Sequence, residues 1–144
     1  MKKNNKTIKR SGCPISCSLD IFGDKWSLLI IRDMMFFQKS TYGDFQKSEE
    51  KIATNILASR LQSLEENGLI ERLEHPESKA KVLYKLTAKS IDLLPIIVEI
   101  HFWAEKYFDL TAEIKTMMKN AKKDKNEFVK IMMKQLKKQL QKEK

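Results

Sequence analysis

The 144-residue sequence is poor in the residues that build disulfide-rich, metal-binding and phosphate-binding sites. Its two cysteines, Cys13 and Cys17, are too few to define a disulfide scaffold in a chain of this length. Its two histidines, His75 and His101, lie far apart, so local spacing indicates no zinc site. The four glycines form no glycine-rich phosphate loop. We therefore expect no metal and no cofactor.

The sequence also lacks the side-chain combinations of an enzyme active site. No nucleophile is followed by a matching base and a group to orient that base. Neither histidine is expected to have a local carboxylate partner at helical spacing. These absences favour a binding protein over an enzyme.

Long apolar runs are absent as well. The longest, such as Leu28 to Ile31 and Met34 to Phe37, span four residues, whereas a membrane helix needs about 20. The basic start has no apolar run behind it, so no secretory signal is indicated. We expect a cytoplasmic protein with no membrane partner, folded as one domain with appendages.

The net charge of +9 is concentrated at the two ends of the chain. Residues 1–12 hold 5 basic and no acidic groups (+5), and residues 113–144 hold 11 basic and 4 acidic groups (+7). The remaining 12 basic and 15 acidic groups give residues 13–112 a net charge of −3. The overall basicity is therefore weak evidence about the central region, although basic ends attract phosphate independently of sequence.

The most informative stretch runs from Lys51 to Glu74. Its leucines at 57, 61 and 64 recur at the spacing of one buried helix face, and the helix is expected to end at Asn67-Gly68. Small neutral hydrogen-bonding groups occupy the outer face of the N-terminal half, and acidic groups follow near the C-terminus. This polarity suits a DNA recognition helix entering the major groove N-terminus first. An ordinary solvated amphipathic helix shows the same pattern.

The flanking segments complete a winged helix-turn-helix. Thr41 and Asp44 are spaced as a capping box for a short helix, and a brief turn leads from it to the candidate recognition helix. After that helix, Leu69 to Leu73 and Lys81 to Leu86 predict a β-hairpin with a long tip over His75 to Ala80. On a helix-turn-helix such a hairpin is a wing.

Two helices are expected before this motif. Residues 1–12 are basic and without periodicity, which predicts a mobile arm. A short helix carrying Leu19 and Phe22, capped by Ser16 or Ser18, should follow it. The next helix, Lys25 to about Phe37, is apolar nearly all round and should be central. Its tryptophan and methionines are typical of a core, and a ligand pocket is the alternative.

Thr87 is expected to cap a long helix from Ala88 to about Phe108, kinked at Pro95. This helix has more apolar surface than one small domain can cover, which predicts a partner subunit.

Further helices are predicted beyond it, one starting at Asp109 or Thr111 and one starting at Asp124 with Glu127. The last helix has an apolar seam suited to packing against a neighbour, formed by Val129, Met133, Leu136 and Leu140.

The combined pattern resembles the HxlR-type winged-helix transcriptional regulators, relatives of the MarR-type proteins, over about residues 13 to 108. The matching segments are Cys13-Pro14, Leu19 to Trp26, Leu29 to Asp33, Tyr42 to Phe45, Leu57, Arg60 to Arg72, Pro76-Glu77, Val82 to Thr87 and Trp103.

The resemblance implies a mostly α fold with a small β-hairpin (α+β), in which N- and C-terminal helices form a homodimer on double-stranded DNA with a palindromic operator. The expected domains are a flexible basic arm at 1–12, the winged domain at 13–108 and, beyond the region of resemblance, a helical extension at 109–144 used for dimerisation or as a tail. The expected DNA-binding residues are Thr41, Lys51, Thr54, Asn55, Ser59, Arg60, Gln62, Lys79 and Lys81. The expected dimer contacts are Leu19, Phe22, Ile97, Ile100, Trp103 and Tyr107.

Several members of the family sense electrophiles or oxidants at the cysteine of the Cys-Pro pair, so an oxidant or small-molecule effector acting at Cys13 is a further hypothesis. The chain departs from the family where Ala53 replaces a usual serine, Lys51 a glycine, Thr41 a common basic residue and Ser90 a common glycine. The departures at Ala53 and Thr41 remove possible phosphate contacts, so the operator preference of relatives is not carried over to this chain. The rival hypothesis is an interaction module whose lysine-rich C-terminal tail binds RNA, membrane or protein non-specifically.

Overall fold

The structure is a computed structural model that describes residues 11–75 and 77–142; the side chains of 75, 78–80 and 142 are outside this description. Most of the arm predicted at residues 1–12 therefore lies outside the described residues. The elements in chain order are α1 (Pro14–Phe22), α2 (Ser27–Phe36), α3 (Tyr42–Gln46), α4 (Thr54–Glu66), β1 (Ile70–His75), β2 (Ser78–Leu86), α5 (Ala88–Ile91), α6 (Leu94–Glu105), α7 (Ala112–Met117), α8 (Lys119–Lys123) and α9 (Lys125–Lys142).

The predicted cap of α1 is wrong. The N-cap residue is Cys13, and Pro14 opens the helix, since its fixed φ suits the first turn and it has no N–H to satisfy. Ser18 lies inside the helix, where its hydroxyl donates to the carbonyl of Pro14 at 2.7 Å. Helix α2 begins at Ser27, two residues after the predicted start at Lys25. The carboxylate of Asp24 accepts from the backbone N–H of Ser27 at 2.9 Å and so acts as a cap for this first turn.

The core forms around α2 and α4, as predicted. Leu57, Leu61 and Leu64 are all buried, and Met34 and Met35 of α2 are buried in the same cluster. The cavity beside the half-buried Trp26 has a volume of about 10 Å³, room for about one water. The burial of Met34 and Met35 confirms the core interpretation for these two residues, and Met34 also lines a larger cavity of about 290 Å³.

The hairpin forms as predicted, but its long tip does not. β1 and β2 are antiparallel, with Ile70 opposite Leu86 and Leu73 opposite Leu83, and the register shifts between Glu74 and His75. The ladder continues across this irregularity to the pairing of His75 with Ser78, because a β-bulge absorbs a change of register without ending the strand pairing. The wing is tied to the loop before α3, since the N–H of Tyr84 donates to the carbonyl of Ser40 at 2.7 Å.

The single kinked helix predicted from Ala88 to Phe108 is wrong. The first helix, α5, ends at Ile91, and a second helix, α6, begins at Leu94 with Pro95 in its first turn. Proline has no N–H with which to continue a preceding helix, so it favours the first turn of a new one. The predicted Thr87 cap is present, and Ser90 completes a capping box with it. None of the helices in the described ranges is both long and apolar enough to cross a membrane.

The C-terminal extension packs on the same chain. Thr111 caps α7, as one of the two predicted alternatives, and Asp124 accepts from the N–H of Glu127 at 3.1 Å; α8 was not predicted. The predicted seam of α9 faces the core, with Leu136 buried and the other three members partly buried. Lys122 and Lys125 form ion pairs with Glu105 and Glu99 of α6. The neighbour of the seam is thus the winged domain itself.

Candidate nucleic-acid interface

The turn between α3 and α4 is held by charged groups of α2. Arg32 donates to both carboxylate oxygens of Glu50, at 3.0 and 2.8 Å. The buried carboxylate of Asp33 accepts from Lys39 at 3.3 Å and from the hydroxyl of Ser48. These contacts fix where α4 begins relative to the core. Sequence reasoning missed them, although a charged pair within an otherwise apolar helix was the available signal.

The N-terminal half of α4 presents polar groups to solvent, as predicted. Thr54, Asn55, Ser59 and Gln62 are exposed. In the described part of the chain the Asn55 side chain has no hydrogen-bond partner, whereas Gln62 donates to Glu66 at 3.1 Å. Ser59 accepts from Arg60 at 3.2 Å. The arrangement leaves amide and hydroxyl groups available for base edges.

The N-terminus of α4 offers backbone donors. Its N-cap residue, Ala53, has no side-chain cap, so the N–H groups of the first turn are not satisfied by a hydroxyl. The positive end of the helix dipole lies at the same place, which favours a phosphate oxygen there. The phenol of Tyr42 donates to the carbonyl of Thr54 at 2.8 Å and thereby fixes this end of α4 to α3.

Arg60 is less available than its charge suggests. It is half-buried, and its Nη1 lies 3.7 Å from Oδ1 of Asp24. Burial of Asp24 opposes ionisation, but the hydrogen bonds from Ser27 and Trp26, together with the charge of Arg60, lower the pKa of Asp24. Arg60 therefore faces a carboxylate that stays ionised, and a phosphate would have to compete with it.

The other predicted DNA contacts lie around α4. Thr41 is half-buried, and its hydroxyl caps α3 by accepting from the N–H of Asp44 at 3.1 Å. Lys51 is exposed in the turn before α4, at φ +54°. Lys81 is exposed on β2, and the side chain of Lys79 lies outside the described residues.

The predicted dimer contacts divide into two groups. Leu19, Ile100, Trp103 and Tyr107 are exposed, whereas Phe22 and Ile97 are partly buried against the core. The rings of Trp103 and Tyr107 pack against each other at a tilt of 50°, with centroids 5.2 Å apart. Ile15, Ile96 and Phe108 are further exposed apolar side chains that the prediction did not include.

Cys13 is exposed at the start of α1, and Cys17 is half-buried with its thiol 3.3 Å from the carbonyl of Ser11. The expectation that neither histidine has a carboxylate partner at helical spacing is wrong. His101 Nε2 lies 3.4 Å from Glu105 Oε2, one turn along α6.

Comparison with known proteins agrees with this geometry. The profile of the HxlR-like helix-turn-helix family matches residues 21–112, well over half of the chain. The HTH-type transcriptional regulator YdeP of Bacillus subtilis is 35% identical over 98 residues, which cover 68% of this chain and 76% of YdeP.

Solved structures are similar in the same region. The crystal structure of PA1607 superposes with a TM-score of 0.64 at 41% identity, over 72% of this chain and 71% of PA1607. The reduced form of the transcriptional regulator YodB from B. subtilis superposes with a TM-score of 0.55 at 27% identity, over 69% of this chain and 97% of YodB.

These matches share the mostly helical fold and the two-stranded wing, and proteins of this family are transcriptional regulators, not enzymes. The chain belongs to the HxlR-like helix-turn-helix family of DNA-binding transcriptional regulators.

Proposed function

We propose that the protein is a homodimer that binds a two-fold symmetric operator, with α4 of each protomer in the major groove of one half-site. The observation that carries the proposal is the outer face of α4. Its Asn55 amide, which has no hydrogen-bond partner among the described residues, and its exposed Ser59 hydroxyl lie just behind an N-terminus that no N-cap side chain covers. Base edges are read by such groups and phosphates by such donors.

The dimer is supported by exposed apolar side chains of α1, of α6 and of the turn that follows α6. Trp103 and Tyr107 are 59% and 67% exposed, and Leu19 on α1 is 51% exposed. Large aromatic side chains in such positions are typical of the buried centre of a protein interface. A two-fold axis would place two copies of α4 in successive half-sites.

Cys13 is the proposed sensor of an oxidant or electrophile. It is exposed at the N-cap of the short helix that carries Leu19, so a change at its thiol would act next to the proposed interface. YodB, a relative described above, has been solved with quinone bound and after diamide treatment. An oxidised dimer linked between subunits is favoured over a bridge from Cys13 to Cys17, which would strain α1.

The test is selection of bound fragments from sheared genomic DNA, followed by titration of the recovered site. We expect the fragments to share an inverted repeat with half-site centres about 10 bp, or a multiple of that, apart. We also expect a mass in solution of two chains. Recovery of fragments with no common sequence, or a strictly monomeric particle, would contradict the proposal.

A further inference from the structure

The helix α9 has two faces with different chemistry. Its apolar face packs on the winged domain, with Leu136 buried. Its outer face is basic, and between Glu127 and residue 142 the sequence has five lysines and no acidic residue. Four of these lysines are exposed along the helix: Lys130, Lys134, Lys137 and Lys138.

These lysines differ from those that dock the extension. Lys122 and Lys125 pair with carboxylates of α6. Within residues 11–75 and 77–142, the ammonium groups of Lys130, Lys134 and Lys138 have no ion-pair partner. These three follow one another every four residues, about 6 Å along the helix axis. They form a line of charge that the fold itself does not use.

The C-terminal end of α9 lies beside the start of the helix-turn-helix. Gln139 and Leu140 line a cavity of about 290 Å³ together with Gln38 and Ser40 of the loop before α3. Ser40 directly precedes Thr41, the N-cap of α3. The first helix of a helix-turn-helix crosses the DNA backbone. The lysines of the last turns of α9 are therefore carried close to the edge of the DNA-binding surface.

We propose that the outer face of α9 binds phosphates of the duplex that flanks the site read by α4, independently of sequence. This inference rests on the proposed function, since it requires α4 to hold the protein on DNA. Lysine heads bind phosphate as point charges without reading bases. Each phosphate neutralised releases counterions, which steepens the salt dependence of binding.

An anionic membrane is a poorer partner for the same helix. An amphipathic helix binds the membrane interface through an apolar face that inserts between lipids. Here that face is occupied by the core, and in the described part of α9 Ile131 is the only large apolar side chain that is strongly exposed. The remaining outward groups match a polyanion.

The experiment compares two triple variants of the full chain with equal charge loss. One replaces Lys134, Lys137 and Lys138 by Gln. The control replaces three exposed lysines of α7 and α8 by Gln: Lys115, Lys119 and Lys123. Binding is measured by fluorescence anisotropy over a salt series, on the selected site alone and on the same site with about 10 bp of flank on each side.

On the flanked duplex, we expect the slope of log K against log salt to be less steep by about 2–3 in the α9 variant than in the wild type. Each phosphate contact contributes about −0.9 to this slope. At about 0.15 M salt its affinity should fall about tenfold to a hundredfold. On the unflanked duplex it should match the wild type. Arg at the same three positions should preserve the slope, which separates loss of charge from loss of fold.

Three results would overturn the inference. Equal losses of slope in the α9 and control variants would assign the effect to net charge. An unchanged slope in the α9 variant would show that these lysines do not contact the flanking DNA. If duplex RNA or vesicles of anionic lipid bind the wild type as tightly as flanked DNA, and only the α9 variant loses that binding, the face is a general polyanion site. Failure of the proposed function is distinct, because it appears as equal affinity of every variant for selected and scrambled duplexes.

Discussion

The guanidinium of Arg32 on α2 spans the carboxylate of Glu50 with two hydrogen bonds, at 3.0 and 2.8 Å. The two residues are 18 positions apart. Through this pair the core helix fixes the turn that leads into α4. A bidentate pair of this kind is directional as well as attractive, so it constrains the position of the turn.

The pair predicts how stability depends on pH. The hydrogen bonds from Arg32 lower the pKa of Glu50 below its ordinary value of 4.5, against the opposing effect of burial. Ionised Glu50 therefore stabilises the folded state at neutral pH, and this contribution is lost as the pH falls below 4.5 and through the lower folded-state pKa. We expect Glu50→Gln to reduce the free energy of unfolding by about 1 kcal/mol at pH 7. The difference from wild type should vanish in acid.

Urea unfolding at several pH values measures this effect. Glu49→Gln is the matched control, since it removes the same charge from the exposed neighbouring residue. A difference between Glu50→Gln and wild type that stays constant down to pH 2 would show that the charge of Glu50 is not responsible.

The outer face of α4 predicts a change in base preference. Asn55→Ala removes an amide that is exposed and has no partner in the described chain. We expect it to cost about 1–3 kcal/mol at one base step and to leave other steps unchanged. Lys81→Ala, by contrast, should weaken binding evenly across sequences. Competition titrations with single-base variants of the selected site distinguish the two patterns. An even loss from Asn55→Ala would place its side chain away from the bases.

How much of this interface was predictable depended on the range of the interactions. The capping box of Thr41 and Asp44 and the buried leucine face of α4 are local patterns, and both were predicted correctly. The link from Arg32 to Glu50 joins distant segments, and nothing in either segment alone specifies its partner. The break before Pro95 was missed because a kink and a new start have the same sequence signal.

At two positions the backbone adopts a positive φ that glycine accommodates without strain, so we expect a glycine substitution there to stabilise the protein. Gln38 and Lys51 have φ values of +55° and +54°, a region in which a Cβ atom is strained. Gly at either position should raise the free energy of unfolding by about 0.5–1 kcal/mol, the relief of strain being partly offset by the greater freedom of the unfolded chain.

Thermal and urea unfolding provide the measurement, and DNA binding separates the two sites. Lys51→Gly should also weaken DNA binding, because it removes a charge in the turn before α4, whereas Gln38→Gly should leave binding unchanged. Lys47→Gly is the control, since Lys47 has φ −87° and gains nothing from glycine. If Lys47→Gly stabilised the protein as much as the other two, backbone strain would not be the cause.

The aromatic pair formed by Trp103 of α6 and Tyr107, which follows the end of α6, leads to a prediction about the strength of the dimer. Trp103→Glu would place a carboxylate in the centre of the proposed interface, beside Tyr107. We expect a loss of at least about 2 kcal/mol in association, roughly a 30-fold rise in the dimer dissociation constant. Sedimentation equilibrium measures it. Ile131→Glu, at an exposed apolar residue of α9, should leave the association unchanged. Equal weakening by both variants would argue against a specific interface at α6.

We expect DNA binding to respond to oxidation of the exposed Cys13 thiol. Diamide accepts two electrons and two protons from a pair of thiols and leaves one disulfide, here between the Cys13 residues of two subunits. Because Cys13 lies at the exposed start of α1, this bridge would change the relation between the protomers and hence the spacing of their α4 helices. Operator affinity of the wild type should change on treatment and recover with dithiothreitol.

The single-cysteine variants test which thiol is responsible. Cys13→Ser should bind the operator as the untreated wild type does and should show no change with diamide. Cys17→Ser should respond fully and should run as a disulfide-linked dimer on a non-reducing gel, because its remaining thiol is the exposed one. A response that disappears in Cys17→Ser while surviving in Cys13→Ser would assign sensing to Cys17. A wild-type affinity unaffected by diamide would show that DNA binding is not thiol-controlled.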